Sequence, residues 1–320
     1  MERSFFLKSI AALSVAGLGV PGLVKRAVHP ESDVKLLTSD AGYDDWTYLR
    51  KHFSLPQGYH YFNTAGIGAV PVRVREQVAK HWNKTETYPK PGHDLSDWTS
   101  VKVAVSHSIG VSKPSNIALS NSTTEGINIL LNGFPWRAGD EIISSTHEHP
   151  ALHAPLINIS QRKGVKLRIF EPDLVDGMNN IHRIFNLATS RTRLIFVSLV
   201  TCTTGQWLPI EEIVNEAHKR GILVALDGAQ ATGGRALRMT DWDVDFYTSG
   251  GQKWLLGPKR TGLFYLKEEH LDLVKPTTVG AYSERSYDIL NNEITWALDA
   301  TRYEYATQNE SLFFGLKNSV

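Results

Sequence analysis

The sequence predicts an α/β protein built on a mostly parallel, doubly wound sheet. Short apolar runs recur at about 117–120, 141–145, 166–170, 193–200, 222–226, 244–248 and 262–266, and each reads as a strand. Patterns of helical period fill most of the gaps between them, which is the arrangement that makes parallel sheets with helices on both faces. No internal repeat, low-complexity tract or flexible linker interrupts this alternation.

The elements follow in order. Arg3 and Lys8 flank SFFLK, and IAALSVAGLGVPGLV follows. This apolar run of about 15 residues falls short of the ~20 that a membrane-spanning helix needs, and residues 1–30 read as an export signal, with a buried first helix or an uncleaved anchor, and a cytoplasmic location, as the alternatives. The start, MERSFFLK, is similar to a twin-arginine signal with Glu2 where one arginine would stand, so the expected location is the periplasm. Residues 43–53 suggest a short helix and YHYFNTAG an extended segment. A helix is expected from Pro71 to about Lys84, with proline suited to its first turn, and a second over 96–110. The strands and their intervening helices come next.

Composition narrows the ligand. With 320 residues and 42% hydrophobic content the chain can bury a large core. Thirty-four basic against thirty-three acidic residues leave a formal charge of +1, with no long run of one sign. This argues against nucleic acid and against an electrostatic membrane patch, leaving small molecules. Cys202 is the sole cysteine, so it makes no internal disulfide and no cysteine-rich metal site.

The candidate chemistry centres on an acid and a lysine. ILVAL delivers Asp227 at the end of a buried strand, and DVDFYTS leads to Lys253 in SGGQKWLLGPKRTG, so both side chains open at one sheet edge. Open α/β sheets bind ligands at that edge. A lysine that condenses with an aldehyde, and an acid that keeps a ring nitrogen protonated, are what pyridoxal phosphate (PLP) asks of a protein. The Asp227-Gly228 pair also fits a hairpin turn, although ATGGRAL is a poor partner strand. Lys253 can equally be a solvated lysine, but Gly250, Gly251, Trp254, Leu255, Leu256 and Gly257 give it an apolar, tightly turned setting.

A phosphate site is offered by LSNSTTEGINIL, where a strand ends and hydroxyl residues open a helix near Glu125 and Gly126. Free amides at a helix N-terminus hold phosphate, although the same residues make an ordinary N-cap. His149, after EIISS, projects from another strand end and can stack on a flat ring, or else face solvent as many loop histidines do. GGQKW lacks the Ser or Thr and the first glycine of a Walker A loop, and no strand is followed by GxGxxG. Glu148, His149 and His153 lack the HExxH spacing, and Pro150 breaks a helical face through them; no metal site is expected.

NTAGIGAVP, STTEGIN, EHPA, TGQWLPIEEI, LDGAQATG, SGGQKWLLGPKRTGLFY and RYEYATQN occur in the order found in class V aminotransferase-like PLP enzymes. The chain resembles the isopenicillin N epimerase-like and cysteine desulfurase-like branch of that superfamily over residues 60–310. The resemblance implies PLP-dependent transferase fold type I and pyridoxal 5'-phosphate as cofactor. Lys253 would form the Schiff base and move protons. Asp227 would pair with the pyridine nitrogen, Gln230 with the ring's phenolic oxygen, and His149 would stack on the ring. Thr123 and Thr124 would hold phosphate, aided by Ser249 and Gln252. The substrate would be an amino acid or amine, the reaction transamination, epimerisation or elimination, and the assembly a homodimer.

Departures accompany this likeness. Gly250 and Gln252 stand where members often carry serine and histidine, and Leu199 and Thr201 where they often carry histidine and asparagine or serine. Cys202 does not match the desulfurase nucleophile, which lies much later in those chains. A small domain with a substrate-carboxylate arginine usually follows RYEYATQN, whereas this sequence stops at Val320. The resulting division is an export signal (1–30), an arm (31–60), a PLP-binding large domain (61–290) and the start of an incomplete small domain (291–320). The expectation is a PLP enzyme acting on an amino acid or amine; the alternative is a truncated remnant that binds PLP but turns over poorly, with a possible partner chain completing the small domain.

Overall fold

Five of the seven apolar runs become a parallel set, and the other two close its edge. The computed structural model describes residues 44–320, so the expected export signal and part of the arm lie outside the described residues. The chain runs α1 (Asp44–Lys51), α2 (Val72–Thr87), α3 (Leu95–Ser108), β1 (Ile117–Ser120), α4 (Thr123–Gly133), β2 (Glu141–Ser145) and α5 (Pro150–Lys163). It continues through β3 (Lys166–Phe170), α6 (Asn179–Phe185), β4 (Thr192–Ser198), α7 (Ile210–Lys219), β5 (Leu223–Asp227), β6 (Phe246–Gly250) and β7 (Gly262–Leu266). A two-stranded hairpin, β8 (Glu284–Asp288) and β9 (Glu293–Trp296), and α8 (Glu310–Ser319) follow.

The main sheet has the order β1-β7-β6-β5-β4-β2-β3. Neighbours from β6 to β3 are parallel, while β7 runs antiparallel to both β6 and β1. The segment 251–261 between β6 and β7 is too short for the crossover that a parallel pair requires, so the chain must reverse there. That reversal carries Lys253.

Alternation along the strands sorts the core into two layers. Ile142, Leu194, Phe196, Ala225, Phe246 and Phe264 face Ile127, Leu130 and Leu131 of α4 and Leu152, Leu156 and Ile159 of α5. Ile143, Ile195, Val197, Val224, Leu226 and Tyr247 face Val101 and Val105 of α3 and Ile213, Val214 and Ala217 of α7. Both faces are therefore covered, as the largely apolar central strands β4, β5 and β6 demand. Among the described residues no helix is long and apolar enough to cross a membrane. The arrangement leaves Ser145, Ser198, Asp227 and Gly250 at the carboxyl ends of parallel strands, one common edge.

Candidate active site

Asp227 ends β5 and lies beside Ser198 of β4 and Thr248 of β6 in the strand register. It is 4% exposed, and its Oδ1 accepts the Ala229 N–H at 2.8 Å. Burial pushes its carboxyl above the usual range, against the pull of that N–H and of the nearby charges of Lys253 and His149. The acid thus sits where water cannot solvate it, within electrostatic reach of Lys253 and His149.

The Lys253 turn is held from several sides. The Lys253 carbonyl accepts the Leu256 N–H at 3.1 Å, and the Gly257 N–H donates to the Gly251 carbonyl at 2.8 Å. The preceding carbonyl, of Gln252, accepts the Gly68 N–H at 2.6 Å, so the segment NTAGIG packs directly on the turn. At Gly68 a Cβ would strike the Lys253 carbonyl, which explains glycine there. Gln230 joins the same parts: its Nε2 donates to the Ala65 carbonyl (3.0 Å) and its Oε1 accepts the Trp254 indole N–H (2.8 Å). One amide hydrogen remains after those two bonds.

The expected anion site falls at the start of helix α4. Ser122 caps it, accepting the Glu125 N–H at 3.1 Å, while the Glu125 carboxylate accepts the Asn121 N–H at 2.5 Å. The Thr123 and Thr124 amides lie in the first turn, where no intrahelical acceptor exists. Gly126 lets this terminus approach β6, since a Cβ there would collide with the Thr248 side chain. The Thr248 hydroxyl in turn lies 3.2 Å from the Thr123 carbonyl. Gln252 contributes a buried Oε1 with no hydrogen-bond partner, and because an amide can be turned end for end, the same place can present N–H donors.

His149 caps α5, its Nδ1 accepting the Ala151 N–H at 3.1 Å. That bond leaves the proton of the neutral ring on Nε2. The ring is exposed, and a proton gained there would pull the Asp227 carboxyl down.

Ser249 departs from the expectation. Successive residues of a strand face opposite ways, and Ser249 lies on the Tyr247 side of β6, fully buried, with its hydroxyl 3.3 Å from the Gly228 carbonyl. Thr248, not Ser249, faces α4.

Two groups beyond the expected set share the site. Glu148 is 4% exposed; its Oε1 accepts the Ser145 hydroxyl at 2.6 Å, and its Oε2 accepts the Ser198 N–H at 2.9 Å and the Ser198 hydroxyl. In sequence it offered only a rejected metal reading; the signal that it matters was an acid directly before His149 and after a buried strand. Cys202 donates its Sγ–H to the His147 carbonyl at 3.7 Å. Burial raises this thiol, Glu148 adds to the rise, and Lys253 opposes it. A thiol so held stays protonated and is a weak nucleophile.

Comparison with known proteins places this geometry. The family Aminotransferase class-V matches residues 61–320. A cysteine desulfurase of Cronobacter sakazakii is 32% identical over 258 residues, covering 78% of this chain and 63% of that protein. One of Salmonella typhi is 34% identical over 224 residues, covering 69% and 54%. The chain thus spans between half and two thirds of the length of these relatives. Among solved structures, the cystine C-S lyase C-DES with its reaction product cysteine persulfide is 28% identical over 82% of this chain and 71% of that one, with a TM-score of 0.75. A lysine-to-alanine mutant of C-DES, with glycine covalently linked to its PLP cofactor, aligns over 84% and 72% with 27% identity and a TM-score of 0.76.

Proposed function

The chain belongs to the class-V aminotransferase family, and from that membership we propose that it holds pyridoxal 5'-phosphate at Lys253 and cleaves a carbon–sulfur bond of a cysteine-like amino acid. Bound PLP supplies the electron sink for charge left at the substrate α-carbon. The chain's own residues bind, orient and move protons. Lys253 provides the amine that anchors the cofactor and carries a proton to and from that carbon. Asp227 holds the proton on the ring nitrogen, and its burial strengthens that pairing. The Thr123 and Thr124 amides at the start of α4, with Gln252 beside them, bind phosphate. His149 would cover one ring face, and the amide hydrogen that Gln230 leaves unused would serve the ring oxygen.

The observation that carries this reading is the buried Asp227 carboxylate, raised by burial and opposed to the Lys253 charge at a sheet edge with an open helix terminus. Carbon–sulfur cleavage is favoured over transamination because the named relatives are cysteine desulfurases and a cystine C-S lyase. Within that chemistry we favour elimination with release of the sulfur product, since Cys202, in the site, is held as a protonated thiol chiefly by burial.

The test has two arms. Protein mixed with PLP and reduced with borohydride should carry the cofactor on Lys253, and the Lys253→Ala variant should carry none. Incubation with cystine should then give pyruvate, ammonia and cysteine persulfide, one water being consumed. Alanine as the amino-acid product would replace elimination with desulfuration, and no label at Lys253 would remove the cofactor assignment altogether.

A further inference from the structure

Glu148 has a second task that the cofactor contacts do not use. Its two oxygens tie the loop between β2 and α5 to the ends of two strands, Ser145 of β2 and Ser198 of β4. The Ser145 hydroxyl also accepts the His147 N–H at 3.1 Å, and the Ser145 carbonyl meets His153 Nε2 at 2.9 Å. His149 is the next residue and caps α5 through its Nδ1, so strap and cap act on adjacent residues. Ser198 is the register partner of Asp227, so Glu148 and Asp227 are two buried acids on adjacent strand ends.

We propose that Glu148 is a positioning residue that fixes His149 over the site by strapping the β2–α5 loop to β4, and that it does so as a neutral acid so that Asp227 alone carries the negative charge. Two carboxylates sharing a dry site cannot both ionise cheaply. The titratable groups around Glu148 agree: Asp227 on β5 opposes its ionisation, Cys202 after β4 is itself protonated, and His147 and His149 flank it on its own loop. The charge of Lys253, from the turn after β6, acts on Asp227 and Cys202. Burial is the largest influence on Glu148 and, with Asp227 adding and the serine hydrogen bonds opposing, pushes it up to about 7. As a neutral acid it carries its proton on Oε1 and donates it to the Ser145 hydroxyl, which turns its own hydrogen away, while Oε2 continues to accept from Ser198.

This inference rests on the PLP reading for its purpose but not for its test. Folded and unfolded states bind the Glu148 proton differently, so stability tied to it is full below the unfolded value of about 4.5 and is lost as pH rises through about 7. Cofactor-free wild type and Glu148→Gln should therefore melt alike near pH 5, with the variant progressively ahead toward pH 8. In the loaded protein, Glu148→Ala should weaken PLP binding at least about 10-fold, the scale of one lost buried hydrogen-bonded acid, and Glu148→Gln should recover most of that loss. A melting difference between wild type and Gln that is independent of pH, or a Gln variant as impaired as Ala, overturns the proposal by showing that a carboxylate is needed. Failure of wild type itself to take up PLP would instead strike the cofactor reading, leaving the cofactor-free melting series to decide on Glu148.

Discussion

At the scale of single residues, the site trades stability for chemistry. Asp227 is buried with one backbone N–H on its carboxylate, and burial raises it, so the ionised acid is a cost to the free protein. Asp227→Asn should consequently raise the melting temperature of the cofactor-free protein at neutral pH. The same change should weaken PLP binding about 10- to 100-fold, the range expected for one charge-assisted hydrogen bond, measured by titration of the cofactor's absorbance. A variant that melts lower and binds PLP normally would contradict both halves. Asp227 and Lys253 were legible because each closes or follows an apolar run, and the alternation of elements sends such ends to one edge. Glu148 was not, because an acid becomes a buried one only when distant donors such as Ser198 are folded onto it. Ser249 was misplaced for a simpler reason: adjacent residues of β6 face opposite layers, and the one that meets α4 is Thr248.

Elements were legible where packing follows from the local pattern. Strands such as 117–120, 141–145, 166–170 and 262–266 coincide with β1, β2, β3 and β7 because each carries a short apolar core bounded by turn residues, even in β3, whose edge position leaves most of it partly exposed. The β8–β9 hairpin was missed because its residues are almost all exposed, which erases the apolar alternation that marks a strand. Its turn signal was faint as well, resting on Asn292 in the left-handed region at φ 56°. The helix that bears the anion site depends on a close approach that sequence spacing does not display. Because a Cβ at Gly126 would meet the Thr248 side chain, Gly126→Ala should push the α4 terminus off β6. The expected cost is about 1–3 kcal/mol by denaturant unfolding, as for other overpacked cores, with a loss of PLP affinity that Thr248→Ala, which removes the clashing hydroxyl, partly restores. Full stability in Gly126→Ala would show that α4 can shift freely and that its position is not fixed by this contact.

For the molecule as a whole, the two edges of the sheet pull stability in opposite directions as pH changes. At the edge away from Lys253, Asp245 precedes β6, and its Oδ1 and Oδ2 each lie 2.8 Å from a histidine, His270 and His218. Oδ2 also accepts the Val224 N–H at 2.8 Å, and Lys267 Nζ is 3.3 Å from Oδ1. Burial alone would raise this acid, but the bonds from His270, His218 and Val224, with the Lys267 charge, hold it below the usual range. A depressed acid stabilises the fold above its unfolded value of about 4 and loses that contribution as pH falls. Glu148 and Asp227, both raised, do the reverse at the functional edge: their protonated forms favour the fold, and that contribution fades as pH rises, for Glu148 through about 7. The cofactor-free protein should accordingly melt highest in mildly acidic solution, roughly between pH 4.5 and 6, and less well at neutrality. Asp245→Asn should flatten the acid limb of that curve and Glu148→Gln the neutral limb, each leaving the other limb in place, because the two clusters occupy opposite ends of the strands. A maximum at or above neutral pH in the wild-type protein would mean that the buried acids at the functional edge do not govern its stability.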